Sequence, residues 1–507
     1  MMTFRLLFAC CAFTSTISAG DLPSEVGQWA EPQVWPVTAI HAAVLPTGRV
    51  LHYAYPEGTP GTNAKEWDPI SNTFQDVGIN IDLFCSGHSM MADGRVFVTG
   101  GNNNQNCDFQ GRPVSHIFDP FTHEWTQLQN MAVSRWYPTN VTLGDGRVMI
   151  FSGLDEFCKT TDVVEMFTPE TQTIEVIPGA ERFVTLYPRM HLLTNGLIAH
   201  VAEESFTYTY DPSVHQWQFI GFNNEGWRSQ GTSVLIPGEP DNIMLFGGYG
   251  ESGPHAACER IDFTQPNPTW QSAGSMNFGR AHFNAVILPD KTVFLIGGGT
   301  FDLYGGPIFT PELWDPSDGS FTLLPPHVYA RMYHSTAVLL PDGRVLCAGQ
   351  DSGASGFMTE LYSPSYLFRG PRPEWLETPD EIVYGATFQA TIDDTSDIGA
   401  VALIRPSSVT HSVNMEQRYV EVPFTVIDGS TLQLQAPDHG DMAPPGPYML
   451  FAMTQDGVPT VANFVNLGVP SVAVPAASTW GLAVLTLLML ATGSFVFVRS
   501  RCAVSRS

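Results

Sequence analysis

A short turn recurs seven times along this chain at nearly constant spacing. PTGRV begins at residue 46, ADGRV at 92, GDGRV at 144, TNGLI at 194, EPDNI at 239, PDKTV at 289 and PDGRV at 341, so successive copies lie 45–52 residues apart. Each turn sits between two apolar runs, and several of the second runs end in glycine: FVTGG, IFSG, LFGG, LIGGG and LCAG. A second motif follows most copies, as in EWDPISNTFQ, IFDPFTHEWT, TYDPSVHQWQ and LWDPSDGSFT, and reads as strand, turn and outer strand. Four short strands per roughly fifty residues make a propeller blade, and the glycine pairs are kelch-like. The period therefore predicts an all-β chain whose residues 30–370 form a seven-bladed kelch-type β-propeller.

Composition agrees where it bears on this. The chain carries 46 Gly and 39 Pro but only 23 Lys+Arg, a balance suited to turn-rich β structure. Its net charge of −27 argues against nucleic acid or an anionic membrane surface as a partner. After residue 370 the repeat stops. Short alternating runs bounded by Pro, Gly or Asp (ATFQATI, VALIRP, TLQLQAP, GPYMLFAMT, ANFVNLG) predict an immunoglobulin-like β-sandwich over residues 371–468.

The two ends carry targeting signals. Residues 1–19 have Arg5, an apolar run and then Ser18 and Ala19, the pattern of a secretory signal peptide. Trp480 to Val498 is 19 residues without a charge, followed by Arg499, Arg501 and Arg506, which reads as a transmembrane helix with a basic inner end. With VPAASTWG before it, the segment 474–501 resembles the PEP-CTERM and IPTL-CTERM sorting signals, which implies a sorting protease as a partner. Either a sorted tail or a plain anchor predicts an exported protein at the cell surface or outside it, held to the membrane at least transiently.

In a propeller the first strand of every blade lines the central channel, so residues at one offset from the turns form a ring. Nine residues before the turn glycine lie Cys85, Tyr137, Tyr187 and His334, with Tyr333 beside the last, and the same count from Lys291 gives His282. Cys85 and Tyr137 fall in neighbouring blades. Inside the sandwich, His411 lies in the polar stretch SSVTHSVN between strands. With Cys10, Cys11 and Cys502 in the terminal signals, five cysteines remain, so at least one lacks a disulfide partner; Cys107 with Cys158 is one candidate pair.

Taken in order, FCSG (84–87), RWYPT (135–139), RMYHS (331–335) and VTHSVN (409–414) resemble the galactose oxidase and glyoxal oxidase family of copper radical oxidases. The likeness spans roughly residues 30–468. It implies copper held by Tyr137, Tyr333, His334 and His411, with His411 delivered on a loop from the sandwich. It also implies a thioether between Cys85 and Tyr137, whose tyrosyl radical is the second redox group. Two imidazoles, two phenolates and a water suit tetragonal Cu(II). The implied reaction oxidises a primary alcohol or aldehyde, small or carbohydrate, and reduces O2 to H2O2, with Tyr333 as general base and the chain acting as a monomer. In that family a tryptophan just after the second inner strand covers the thioether; here that region reads SGLDEF (152–157), without one. The rival expectation is a non-catalytic kelch propeller displayed at the surface to bind glycan or protein. A hydrolytic propeller would need an arginine cluster and paired carboxylates that the ring positions do not supply.

Overall fold

The computed structural model describes residues 22–468, apart from 57–60, 104–108, 202, 302–304 and 351–352. The signal peptide expected at 1–19 and the sorting motif and helix expected at 474–501 lie outside the described residues. Among the described residues no helix is long and apolar enough to cross a membrane.

The repeat becomes seven antiparallel sheets around one axis. Blade two, for example, runs Gly87–Met90, Val96–Thr99, Ser115–Asp119 and Glu124–Gln127 in order from the channel outward. The inner strands are buried on both faces, whereas the fourth strand alternates with solvent and carries the polar residues. The chemistry of each turn motif explains its recurrence. In ADGRV, GDGRV and PDGRV the Asp93, Asp145 and Asp342 carboxylates each accept the backbone N–H two residues on, from Arg95, Arg147 and Arg344. Each also pairs with that arginine's side chain. The position after the aspartate needs a left-handed backbone: Gly94 has φ 83°, and Lys291 adopts 70° where blade six lacks the glycine. In the second motif, Asp68, Asp119, Asp211, Asp262 and Asp315 accept the N–H two residues on and close the outer hairpin.

The ring closes on itself. Gln28–Trp29 pairs antiparallel with Tyr362 and Ser363 and supplies the outer strand of blade seven, whose other strands come from residues 335–363. The sandwich is two sheets. One holds Trp375–Glu377, Thr387–Ile392, Thr431–Gln435 and Phe424–Val426; the other is built on Gly446–Thr454 and Ile398–Ile404. Their apolar faces meet in a core that includes Ile392, Leu403, Leu432, Leu434, Tyr448 and Leu450.

One piece of the sandwich belongs structurally to the propeller. The hairpin Ser408–Thr410 and Val413–Asn414 adds to the channel side of blade one, with His41 opposite Thr410 and Ala43 opposite Ser408. Its two turn residues, His411 and Ser412, have φ 49° and 66°, the pattern of a two-residue type I′ turn. The hairpin is then tied around the channel. Arg405 donates to Met90 O, Glu416 accepts from Thr142, Arg418 donates to Leu192 O, Thr232 donates to Ser412 O, and Gln417 exchanges two bonds with Ile287. His411 therefore stands at the tip of a braced hairpin and not on a free loop.

Candidate metal centre

The ring positions share an unusual backbone. Cys85, Tyr137, Tyr187, Gln230, His282 and His334 all have φ between 46° and 68°. For a residue with a Cβ this region costs on the order of 1–2 kcal/mol, so surrounding contacts must hold it. Part of the hold is direct: Tyr137 N–H donates to Cys85 O, Tyr187 N–H to Tyr137 O and His282 N–H to Gln230 O, each at 2.9 Å. Blade is thereby bonded to blade at the level of the site. The turned backbone also changes what side chains can do. In a regular strand consecutive side chains point to opposite faces. Here Trp136 stacks on Tyr137 (centroids 3.6 Å, 11° between planes) and Tyr333 stacks on His334 (3.8 Å, 28°).

Buried ion pairs hold the loops that lead into the ring. Arg135, Arg228, Arg280 and Arg331 are fully buried or nearly so and pair with Glu165, Glu259, Glu312 and Glu360 on the third strands. Each guanidinium also donates to a carbonyl at the end of the second strand: Ser152, Gly247, Gly297 and Gly349. Each glutamate in turn accepts a backbone N–H from the loop entering its blade: Ala132, Asn224, Asn277 and Val328. Arg189 and Glu203 form a comparable pair in blade four. Charges this deep are stable only when paired and hydrogen-bonded; every guanidinium of the set has its carboxylate and a carbonyl, while the Nε of Arg280 and of Arg331 has no partner among the described residues.

The structure brings all five predicted site residues together. Tyr137 and Tyr333 share a hydrogen bond through their hydroxyls. His411 Nε2 lies 3.6 Å from Cys85 Sγ, and its ring centroid is 4.5 Å from Tyr137, 4.4 Å from His334 and 5.4 Å from Tyr333. Ligand atoms of Cys85, His334 and His411 all lie within 4.8 Å of one another. Tyr333 is half-buried and the other four are buried.

The donor chemistry fits a copper ion. Thr410 donates its hydroxyl to Ile40 O at 3.0 Å and accepts from His411 Nδ1 at 2.6 Å. That fixes the tautomer, so the Nε2 lone pair faces the cluster. Burial, then the neighbouring imidazoles, hold His411 well below the usual histidine range, so this nitrogen is unprotonated near neutral pH. Burial, then Cys85 and Tyr333, push the Tyr137 phenol well above its ordinary value. A bound cation reverses that balance by stabilising phenolate. Neutral imidazole nitrogens and phenol oxygens converging at one point are the N,O donor set of tetragonal Cu(II).

The two ring residues without a role in the resemblance have places here. Tyr187 stacks on the face of Tyr137 (4.4 Å, 25°) and donates its hydroxyl to Ser86 O. His282 stands edge-on to Tyr333 at 5.2 Å. The covering tryptophan looked for in SGLDEF is absent there, yet Tyr137 is not bare: the indole comes from Trp136, with Leu154 of SGLDEF bonded to the Trp136 backbone. Sequence reading missed it because the stacking depends on a left-handed backbone at Tyr137 (φ 68°), as at His334 (67°) in the Tyr333–His334 stack, which the local sequence does not announce. It also missed the arginine–glutamate pairs, although Arg135, Arg280 and Arg331 stand two or three places before the ring and a Glu opens EMF, ELW and ELY. Cys258 and Cys347 are buried thiols. Cys158 is disulfide-bonded, and its suggested partner, Cys107, lies outside the described residues.

Comparisons with known proteins bear on this geometry. Residues 61–365 match the family model described as the glyoxal oxidase N-terminus, and residues 372–467 match the galactose oxidase-like early set domain. Galactose oxidase of Gibberella zeae is 28% identical over 494 residues, covering 87% of this chain and 71% of that protein. The aldehyde oxidase GLOX of Vitis pseudoreticulata is 31% identical over 452 residues, covering 78% and 84%. A solved structure of a fungal alcohol oxidase in complex with copper aligns with TM-score 0.78 and 26% identity, covering 88% of this chain and all of that one.

Proposed function

The chain belongs to the galactose oxidase and glyoxal oxidase family and is a copper-dependent alcohol or aldehyde oxidase, and we propose that Cys85, Tyr137, Tyr333, His334 and His411 are its working centre. The observation that carries this is the meeting of the sandwich hairpin's His411 with four residues from three blades of the propeller ring. Tyr137, Tyr333, His334 and His411 would hold copper, which when bound supplies one of the two oxidising equivalents that alcohol oxidation needs.

The chain's own residues do the rest. Tyr333 is the half-buried phenol, so it is the group that takes the substrate hydroxyl proton. Tyr137 supplies the second equivalent as a radical and removes a hydrogen atom from the carbinol carbon. A thioether to Cys85 adds a sulfur donor to the ring, and the Trp136 and Tyr187 faces spread the electron deficiency; both lower the cost of losing an electron. Burial excludes water from the oxidised ring. The balance is RCH2OH + O2 giving RCHO + H2O2. We further infer export from the signal-like residues 1–19 and surface retention or sorting from 474–501.

The test is a peroxide-release assay on copper-loaded protein over primary alcohols and aldehydes. Native protein is expected to turn over at least one class with O2 uptake equal to H2O2 formed, and Tyr137→Phe to abolish it. Copper-loaded native protein inert across the panel, or Tyr137→Phe as active as native, contradicts the reading.

A further inference from the structure

Not every ring N–H meets the carbonyl of the ring member before it: Gln230 N–H goes to Glu203 Oε1, and Cys85 N–H goes to a side chain of blade one. No residue from Trp35 to Val44 has a left-handed backbone, so blade one presents no turned carbonyl to the next ring member, Cys85. A side chain stands in its place: Cys85 N–H donates to His41 Nε2 at 3.0 Å.

An imidazole nitrogen accepts only when its proton is on the other nitrogen. Here the neighbours dictate that. His41 Nδ1 lies 3.1 Å from His88 Nε2, and His88 Nδ1 bonds Ser408 Oγ. The Ser408 hydroxyl is committed to His88 O at 2.9 Å, so its oxygen is the acceptor for His88. The direction is then fixed along the whole line: His88 Nδ1–H to Ser408, His41 Nδ1–H to His88, and Cys85 N–H to His41. Reversing either tautomer would set an N–H of His41 against the N–H of Cys85. All four residues are at most 2% exposed, so water cannot substitute. The His41 ring is further clamped by stacking on Tyr53 (4.3 Å, 5°), whose hydroxyl bonds Ser86 Oγ at 2.9 Å. Cys85 is thus held at its N–H by His41 and at its carbonyl by Tyr137 N–H.

We propose that His41, oriented by His88 and by Ser408 of the sandwich hairpin, is the positioning residue that holds Cys85 for joining to Tyr137. The proposal rests on the centre described above. Joining forms a bond from Cys85 Sγ to a ring carbon of Tyr137 and breaks one S–H and one C–H. The two electrons and two protons released reduce one O2 to H2O2. Ser408 lies on the same hairpin as His411, so the cysteine is set only when the hairpin is seated, which orders assembly: docking first, then cross-linking.

The experiment is a time course of linking. Metal-free protein receives Cu(II) and air, samples are quenched, and the linked fraction of the Cys85 and Tyr137 peptides is read by mass spectrometry. His41→Leu is expected to link about tenfold more slowly or less, because the buried N–H loses its acceptor. His41→Gln, whose amide oxygen can accept the same N–H, is expected to recover most of the rate. Ser408→Ala frees both imidazoles to change tautomer and is expected to slow linking several-fold. Cu(II) affinity of the unlinked protein is read in parallel; a merely structural role would lower affinity together with rate, whereas the proposal predicts an affinity close to native. Native linking rates in both His41→Leu and Ser408→Ala overturn the proposal, as does affinity falling in step with rate. If His41→Leu does not fold, His41→Gln and Ser408→Ala decide it. If native protein itself does not link, the centre's assignment fails, and this proposal with it.

Discussion

Replacing Arg135 with methionine tests the buried-pair device at the blade that carries Tyr137. Arg135 and Glu165 are both 0% exposed in their side chains and meet at 2.7 and 3.1 Å. Arg135 also donates to Ser152 O and Val163 O, while Glu165 accepts Ala132 N–H at 2.6 Å. Methionine fills similar space but strands a buried carboxylate. Breaking such a pair from one side costs about 3–5 kcal/mol. Glu165→Gln keeps an acceptor for Ala132 and removes the charge, so the double variant Arg135→Met, Glu165→Gln carries only the lost carbonyl bonds, about 1 kcal/mol each. Glu165→Gln alone also strands a buried charge, the guanidinium, so the cycle should show coupling of at least about 2 kcal/mol, with the double variant more stable than Arg135→Met. Unfolding entropy for a unit of this size is on the order of 0.9 kcal/mol/K, so Arg135→Met should melt about 4 °C below native. The assay is thermal and urea unfolding of metal-free protein, since bound copper would add its own stability. If the two single effects simply add, the pair is not a charge-compensated unit and the reasoning is refuted.

Three further outcomes are expected. Trp136→Leu should still link Cys85 to Tyr137 but raise the radical's reduction potential by some tens of millivolts, since a stacked aromatic pair is worth about 1 kcal/mol; spectroelectrochemistry of the copper-loaded protein reads it, and an unchanged potential counts against Trp136 as the covering ring. Burial pushes the Asp82 carboxyl up to about 6, against the opposing Phe84 N–H and Arg112. Between its ordinary 3.8 and that value the folded protein holds a proton that the unfolded chain has released, so stability falls as pH rises through this window. Asp82→Asn should then stabilise at pH 7 by about 1–2 kcal/mol, allowing for solvent screening, and by nothing near pH 4; a pH-independent difference in urea midpoint contradicts it. Cu(II) at about a thousand times its Kd should stabilise native protein by about 4 kcal/mol, and His411→Ala should remove most of that gain, as read by chelator-reversed melting shifts.

Much of this fold was legible because its unit repeats. A turn such as GDGRV states its own hydrogen bonds, through Asp145 to the Arg147 backbone, and seven copies at one spacing leave few alternatives to a propeller. The ring residues were legible for the same reason: counting from Gly94, Gly146 and Gly343 lands on Cys85, Tyr137 and His334. What stayed hidden depends on backbone sign and on long-range register. Nothing local in RWYPT says that Tyr137 turns left-handed and so lies under Trp136. His411 was visible as a polar histidine between strands, but its delivery depends on Ser408–Thr410 pairing with His41–Ala43, more than 360 residues away. His41 in AIHAAV and His88 in SGHSMM carry no local mark of their role, since a hydrogen-bond relay crossing two domains has no linear signature.

The most direct test of the central assignment is the mass of the peptides carrying Cys85 and Tyr137 from native protein exposed to Cu(II) and air. A single linked species is expected, lighter than the sum of the two by the mass of two hydrogens, and formed only when copper and O2 are both supplied. Two separate peptides, with Cys85 alkylated as a thiol in protein that retains copper, would contradict it.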